Sequence, residues 1–373
     1  MKIGFIGYGK MGRDIFSLFF DKFKDTEYVI YDICGNKEEN TEAVLKDLNK
    51  ALKRRKLSLG EYENKKHIFR FTNDLNDFSD CNMVIEAIYE DMSAKKELFT
   101  KLERIVSPMC ILLTNTSSLD IPEIFSGMKI KERCLGMHFF YPVKLTGYVE
   151  LNLLPESSPL YFTGLHPIIY ALDKTPVTFS GEYHIYLNQI LACMISHAIK
   201  LTEEYNVSPA ELDKALSDVF TVAGPFEVLS TVGLGLMAGS PDNFRIERNK
   251  ELLAYGCEKM NGWLAEGCPK ETGAFLGFAG EKLPDTGNDA GSAKLSMLAL
   301  ILNETLNAMI DTGQKTSLAN AVKDTLGLEK SQAEYYSELG TDAIFAELDR
   351  LHDKYGYGSY EHREKEIWDR YYG

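Results

Sequence analysis

The 373-residue sequence predicts a doubly wound, mainly parallel α/β sheet followed by an all-α C-terminal region. Three observations predict it. Short apolar strand candidates alternate with amphipathic helices through the first half; a glycine-rich turn joins the first strand to the first helix; and strands give way after about residue 181 to long helical patterns.

The first strand is KIGFIG. It runs into Gly7, Gly9, Lys10, Met11 and Gly12 at the head of a helix carrying Ile15, Leu18 and Phe19. Glycine at the first position permits a tight turn, at the second lets the backbone approach a pyrophosphate, and at the third lets helix and strand pack closely. The helix N-terminus adds free N–H groups and a partial positive charge. The next strand, EYVIYD, ends at Asp32, twenty residues after Gly12. A carboxylate there accepts hydrogen bonds from both ribose hydroxyls and repels a 2′-phosphate, which favours NAD over NADP. Strand, turn, helix, strand and terminal acid together predict a Rossmann-type NAD site.

NTEAVLKDLNKALKRRKLSLGEYENKK follows as a polar helical stretch, with Val44, Leu45, Leu48 and Leu52 at helical spacing. Its Lys53 to Lys56 cluster reads as a solvated helix face or a phosphate patch. HIFRFT, NMVIEAI, CILLTNTS and CLGMHFF are further strand candidates, with helices at KKELFTKLERIV and around IPEIFSG. Glu90, Asn115, Ser117 and His138 then fall just beyond strand C-terminal ends, where open α/β sheets bind ligands.

Composition sets the outer limits. With 45% hydrophobic and 26% charged residues, the chain reads as an ordinary globular protein of two or three domains. A formal charge of -14 argues against nucleic-acid or anionic-membrane binding. Seven cysteines without CxxC spacing, Cys34, Cys81, Cys110, Cys134 and Cys193 among them in apolar surroundings, imply free thiols in a reducing compartment. The histidines show no paired ligand spacing, so no metal site is expected. The opening MKIGFIGYG reads as strand and turn rather than a secretory leader, and no apolar run has membrane-spanning length. The expected location is cytoplasmic.

His138 in GMHFFYPV, Glu150 in YVEL and Ser117 in NTSSL supply an imidazole, a carboxylate that can orient it and a hydroxyl donor. Oxidising a secondary alcohol needs a base for the hydroxyl proton, and histidine titrates near neutral pH. Each has a plainer reading: His138 as a satisfied core histidine, Glu150 as a charged strand residue, Ser117 as the cap of the IPEIF helix.

GFIGYGKMG, EAIYEDMSAKKELF, TNTSSLDI, GMHFFYPV with YVEL, the asparagine of YLNQIL and the run AGPFEVL resemble the L-3-hydroxyacyl-CoA dehydrogenase family in order and spacing, over roughly residues 1 to 280. The resemblance implies that His138 is the base and Glu150 its orienting carboxylate. Ser117 and Asn188 would contact the reacting oxygen, and Glu90, Lys95 and Asn115 would lie near the cofactor. It further implies NAD-linked interconversion of a (3S)-3-hydroxyacyl thioester and its 3-oxoacyl partner. Alternatives are a carrier-protein-bound or other hydroxy acid substrate, or a non-catalytic NAD-binding protein. Dehydrogenases of the 3-hydroxyisobutyrate and phosphogluconate type also open with GFIGxGxMG, but use a lysine in GxxGxGxxxK that is absent here.

Two positions depart from the family pattern. Tyr141 replaces a small or amide residue, and Tyr183, His184 and Ile185 replace a Pro-Gly-Phe segment, which points to an altered acyl carrier or chain. The helical region reads as LNQILACMISHAIKLTEEY, SPAELDKALSDVF and GPFEVLSTVGL, and the site is expected in the cleft between it and the sheet. KLSMLALILNETLNAMIDTGQKTSLANAVKDTL and YYSELGTDAIFAELDRL echo these segments about 107 residues later. The expected domains are therefore 1–181 for NAD, 182–285 as the helical domain, and 286–373 as its degenerate repeat. Single-copy family members dimerise through the helical domain, so a covalent second copy leaves monomer and homodimer both open.

Overall fold

The structure is a computed structural model that describes residues 1–33, 35–180, 186–239 and 247–373. It divides into two compact units, Met1–Tyr183 and His184–Gly373. The expected boundary at 181/182, the altered turn at Tyr183, His184 and Ile185, and Cys34 lie outside the described residues.

In the first unit the strands are β1 (Lys2–Ile6), β2 (Glu27–Tyr31), β3 (Phe69–Thr72), β4 (Met83–Glu86), β5 (Ile111–Thr114), β6 (Cys134–Phe139), β7 (Tyr148–Leu153) and β8 (Thr175–Ser180). They form one sheet in the order β3-β2-β1-β4-β5-β6-β7-β8. β1 pairs in parallel with both β2 and β4, so the chain order reverses between β1 and β4. That reversal opens the crevice in which such sheets hold ligands. β6 and β7 are antiparallel, joined by a short loop. β7 and β8 add an edge beyond the strands predicted from sequence.

Alternation along the strands assigns the two faces. Ile3 and Phe5, Tyr28 and Ile30, Met83 and Ile85, Leu135 and Met137, and Val149 and Leu151 join one core with Ile15, Phe16 and Phe19. Those last three belong to α1 (Lys10–Lys22), whose apolar stripe is thereby buried. Ile6, Val29, Val84, Leu112 and Cys134 face the other way, against Leu98, Phe99, Leu102, Ile121 and Ile124. By the same period of two, Glu86, Thr114, His138 and Glu150 share this second face.

The long polar stretch after Asp32 is two helices, α2 (Lys37–Lys53) and α3 (Leu59–His67). Arg55 breaks it at φ 56, and Ser58 restarts it with a capping box to Glu61. α4 (Met92–Glu103), α5 (Ile121–Ile124) and α6 (Pro159–Ala171) complete the unit.

Helices fill the second unit. The first set is α7 (Tyr186–Tyr205), α8 (Pro209–Ala215), α9 (Pro225–Val232), α10 (Leu234–Met237), α11 (Lys250–Ala265) and α12 (Phe275–Lys282). The second is α13 (Ala293–Thr312), α14 (Thr316–Leu326), α15 (Gln332–Leu339), α16 (Thr341–Tyr355) and α17 (Lys365–Tyr372). α7 and α13 each have 20 residues and are buried over most of their length, as expected of central helices. The starts Tyr186 and Ala293, Pro209 and Thr316, Pro225 and Gln332, and Leu234 and Thr341 are each separated by 107 residues. Between the sets, Phe220 and Leu328 form an antiparallel bridge, with Thr221 N donating to Gly327 O at 2.7 Å and Glu329 N to Val219 O at 2.9 Å. Within the first set Asp213 receives the N-terminal amides of α9, from Phe226 at 3.1 Å and Glu227 at 2.9 Å. A Cβ on Gly224 would lie 2.5 Å from the Asp213 carboxyl carbon, so a side chain there would push the carboxylate off the helix amides.

Candidate active site

The turn between β1 and α1 is built by steric need. Gly7 has φ +96, and a Cβ on it would lie 2.4 Å from Ala87 O. A Cβ on Gly12 would lie 2.0 Å from Gly7 O. Gly9 is the N-cap of α1, no side chain caps that end, and a Cβ there would meet nothing within 4 Å. The result is a bare helix N-terminus with open space before it, which fits a diphosphate. Lys10 and Met11 open the helix itself. Asp32 follows β2 directly, and the chain wraps close to it, because a Cβ on Gly35 would lie 2.5 Å from Asp32 Oδ2.

His138 and Glu150 are direct partners across β6 and β7. His138 Nδ1 lies 2.9 Å from Glu150 Oε2, with the histidine 4% and the glutamate 0% exposed. Adjacent strands thus bring together two residues twelve apart in sequence. A carboxylate at Nδ1 makes that nitrogen the N–H donor and leaves the lone pair on Nε2. Phe140 packs edge-on to the imidazole at 4.5 Å between centroids, which fixes the ring plane further. Asn115, at the end of β5, accepts the Phe139 N–H at 2.9 Å through Oδ1, tying the NTSS loop to the strand that carries His138.

Glu90 organises the loop that carries Ser117. Its Oε1 accepts from Thr116 Oγ1 at 2.7 Å, Ser117 N at 2.8 Å and Ser118 N at 3.0 Å, with the Ser117 and Ser118 hydroxyls at 3.2 Å. One oxygen cannot hold five donors equally, so the two longer hydroxyl contacts are the first to turn toward a ligand. Lys95 lies 3.3 Å from Glu90 Oε2. Burial pushes the Glu90 carboxyl up, but Lys95 and the bonds from Thr116 and Ser117 outweigh it and hold the group below its usual range.

Lys95 is 1% exposed and also binds Glu86 Oε1 at 2.6 Å. Its ammonium therefore joins two carboxylates beneath the loop. Sequence reasoning singled out Lys95 and Glu90 but passed over Glu86 and Thr114, whose hydroxyl donates to Glu86 Oε2 at 2.7 Å. A signal was present: an acid closing the apolar strand MVIE must be buried, and a buried carboxylate needs a partner.

Other predicted residues lie on other elements. Asn188 is half-buried in the first turn of α7, in the second unit. Tyr141 is 44% exposed, and the Lys10 ammonium lies 3.7 Å from its ring centroid, a cation–π contact linking the glycine turn to the loop after His138. Cys81, Cys110, Cys134, Cys193, Cys257 and Cys268 are free and buried. Burial pushes the Cys81, Cys110 and Cys134 thiols up to about 12, so none of these three is a nucleophile. Among the described residues no cluster of His, Cys, Asp and Glu is arranged to hold a metal, and no helix is long and apolar enough to cross a membrane.

Comparisons with known proteins identify the family. Residues 2–182 match the family model of the 3-hydroxyacyl-CoA dehydrogenase NAD binding domain, and residues 186–267 match that of the 3-hydroxyacyl-CoA dehydrogenase C-terminal domain. A 3-hydroxybutyryl-CoA dehydrogenase of Clostridioides difficile is 30% identical, with 64% of this chain and 84% of the relative covered. The glyoxysomal fatty acid beta-oxidation multifunctional protein of Cucumis sativus is 26% identical over 65% of this chain, which spans only 33% of that protein's length. In fold, the crystal structure of 3-hydroxybutyryl-CoA dehydrogenase from Escherichia coli K12 superimposes with a TM-score of 0.79 at 18% identity, covering 99% of this chain and 98% of that one. The chain belongs to the 3-hydroxyacyl-CoA dehydrogenase family.

Proposed function

We propose that the protein is an NAD-dependent oxidoreductase that interconverts a (3S)-3-hydroxyacyl-CoA and the corresponding 3-oxoacyl-CoA. The observation that carries this reading is the buried His138–Glu150 pair at 2.9 Å, set at the ligand-binding end of the sheet in a chain of this family. When bound, NAD supplies the hydride acceptor in oxidation and the donor, as NADH, in reduction. The Gly7–Gly12 turn and the N-terminus of α1 hold the diphosphate, and Asp32 holds the adenosine ribose. His138 Nε2 takes the hydroxyl proton as the C–O bond gains carbonyl character. Glu150 accepts the Nδ1–H throughout, keeps the imidazole in one tautomer and stabilises its protonated form. Ser117 and Asn188 donate to the reacting oxygen as it passes through alkoxide character. In reduction the same proton returns from Nε2 to the oxygen.

The helical unit is proposed to be two copies of one design, with 286–373 a degenerate repeat of 182–285. The constant separation of 107 residues between helix starts supports this, as does the antiparallel bridge between matching segments. Leu295 stands where the repeat would carry the counterpart of Asn188, so the second copy has no oxygen donor of its own. A chain that carries two copies of the helical design supplies both halves of a self-complementary contact itself, which supports monomer as the proposed state with homodimer as the alternative. Its buried free thiols suit a reducing, cytoplasmic setting.

The test is NAD+ reduction with (3S)-3-hydroxybutyryl-CoA against the same acyl group on an acyl carrier protein. Efficient turnover of the CoA ester is expected. Turnover confined to the carrier-bound substrate would overturn the assignment of CoA, and turnover of neither would overturn the activity.

A further inference from the structure

Glu86 closes β4 at the point where strand order reverses, with Ile6 of β1 on one side and Thr114 of β5 on the other. It is 0% exposed, and a carboxylate so placed persists only with full pairing. Oε1 receives the Lys95 ammonium at 2.6 Å and the Ile88 amide at 2.7 Å, and Oε2 receives the Thr114 hydroxyl at 2.7 Å.

These partners lead to both halves of the site. The Ile88 amide belongs to the segment on which the glycine turn rests, since a Cβ on Gly7 would lie 2.4 Å from Ala87 O and 2.9 Å from Ile88 N. Lys95 passes from Glu86 to Glu90, which gathers the amides of Ser117 and Ser118. A second path runs through Thr114, whose Oγ1 accepts the Thr116 amide at 3.3 Å. One buried carboxylate therefore braces the floor of the dinucleotide turn and, by two routes, the loop that presents Ser117.

We propose that Glu86 is a positioning residue that sets Ser117 through Lys95, Glu90 and Thr114. It touches no substrate. Its kinetic consequence rests on the oxidoreductase reading above, whereas its effect on the loop does not.

The test uses the full chain with Glu86→Gln, Lys95→Met and the double variant. In Glu86→Gln the Ser117 and Ser118 amides should exchange hydrogen about tenfold faster, the loss of roughly one charge-assisted bond, while peptides of α7 keep their rates. kcat should fall about 10- to 100-fold with KM for the acyl thioester changed by less than about threefold, because misplacement of a donor acts on the transition state. The double variant should be no slower than the slower single variant, the signature of two residues acting in one chain. Wild-type exchange at Ser117 and Ser118 in Glu86→Gln, or losses that multiply in the double variant, would overturn the proposal. If the wild-type chain turns over no hydroxyacyl-CoA, the activity reading fails, and the exchange rates alone decide the role of Glu86. If Glu86→Gln does not fold, Glu86→Asp, which keeps the charge but withdraws it from Lys95 and Thr114, takes its place: faster exchange at Ser117 and Ser118 supports the proposal and wild-type exchange overturns it.

Discussion

Glu150 is a carboxylate wholly buried against one imidazole, and its value to the site lies in the proton it keeps on Nδ1. Glu150→Gln preserves shape but can present its amide N–H to Nδ1, which favours the tautomer with the proton on Nε2 and removes the base. kcat should fall roughly 100-fold or more with NADH affinity unchanged, and a smaller loss in steady-state assays would show that Glu150 does not hold the tautomer. At this scale much was legible in the sequence. His138 and Glu150 could be paired from their residue types and the family resemblance, before the strand of Glu150 was in view, and the glycines of the turn declared themselves by spacing. The burial of Glu86 was legible in MVIE, but its partners were not, because they come from α4 and β5. Lys95 pairs with the buried Glu86 and with Glu90, a geometry that its place in the sequence does not name.

Elements were legible where periodicity was clean. β1 and α1 follow from apolar alternation and an amphipathic stripe, and the polar helical stretch after Asp32 divides in two, because Arg55 and the Ser58 capping box decide locally against continuation. β8 escaped notice because TPVTFS is short and opens with a proline-containing pair, which demotes a strand on pattern alone. Helix α7 carries its own test. His197 is fully buried within it, hydrogen-bonded through Nδ1 to Tyr360 Oη at 2.9 Å, and burial pulls its imidazole from 6.5 down to about 3. The folded value lies below the unfolded one, so this contribution is complete above about pH 6.5 and is lost as pH falls toward 3. Unfolding free energy should drop by up to about 1.4 kcal/mol per pH unit below pH 6.5 on this account. Denaturant titrations of His197→Gln should lack that part of the slope; an identical slope in the variant would place the acid sensitivity elsewhere.

For the whole molecule, the sequence separated a sheet from a helical region and showed an echo between the helical sets. The bridge from Phe220 to Leu328 joins positions too far apart for pattern to pair. If 286–373 covers the face that a single helical copy would offer a second chain, light scattering should give a mass near 42.1 kDa at micromolar concentration, and a dimer mass would contradict it. The central claim is that the dinucleotide turn and the His138–Glu150 pair serve one reaction. It is tested most directly by His138→Gln, measuring NADH formation from (3S)-3-hydroxybutyryl-CoA together with NADH binding by fluorescence. The account predicts a fall in kcat of about 100- to 10,000-fold with NADH affinity unchanged. Turnover at the wild-type rate would contradict it.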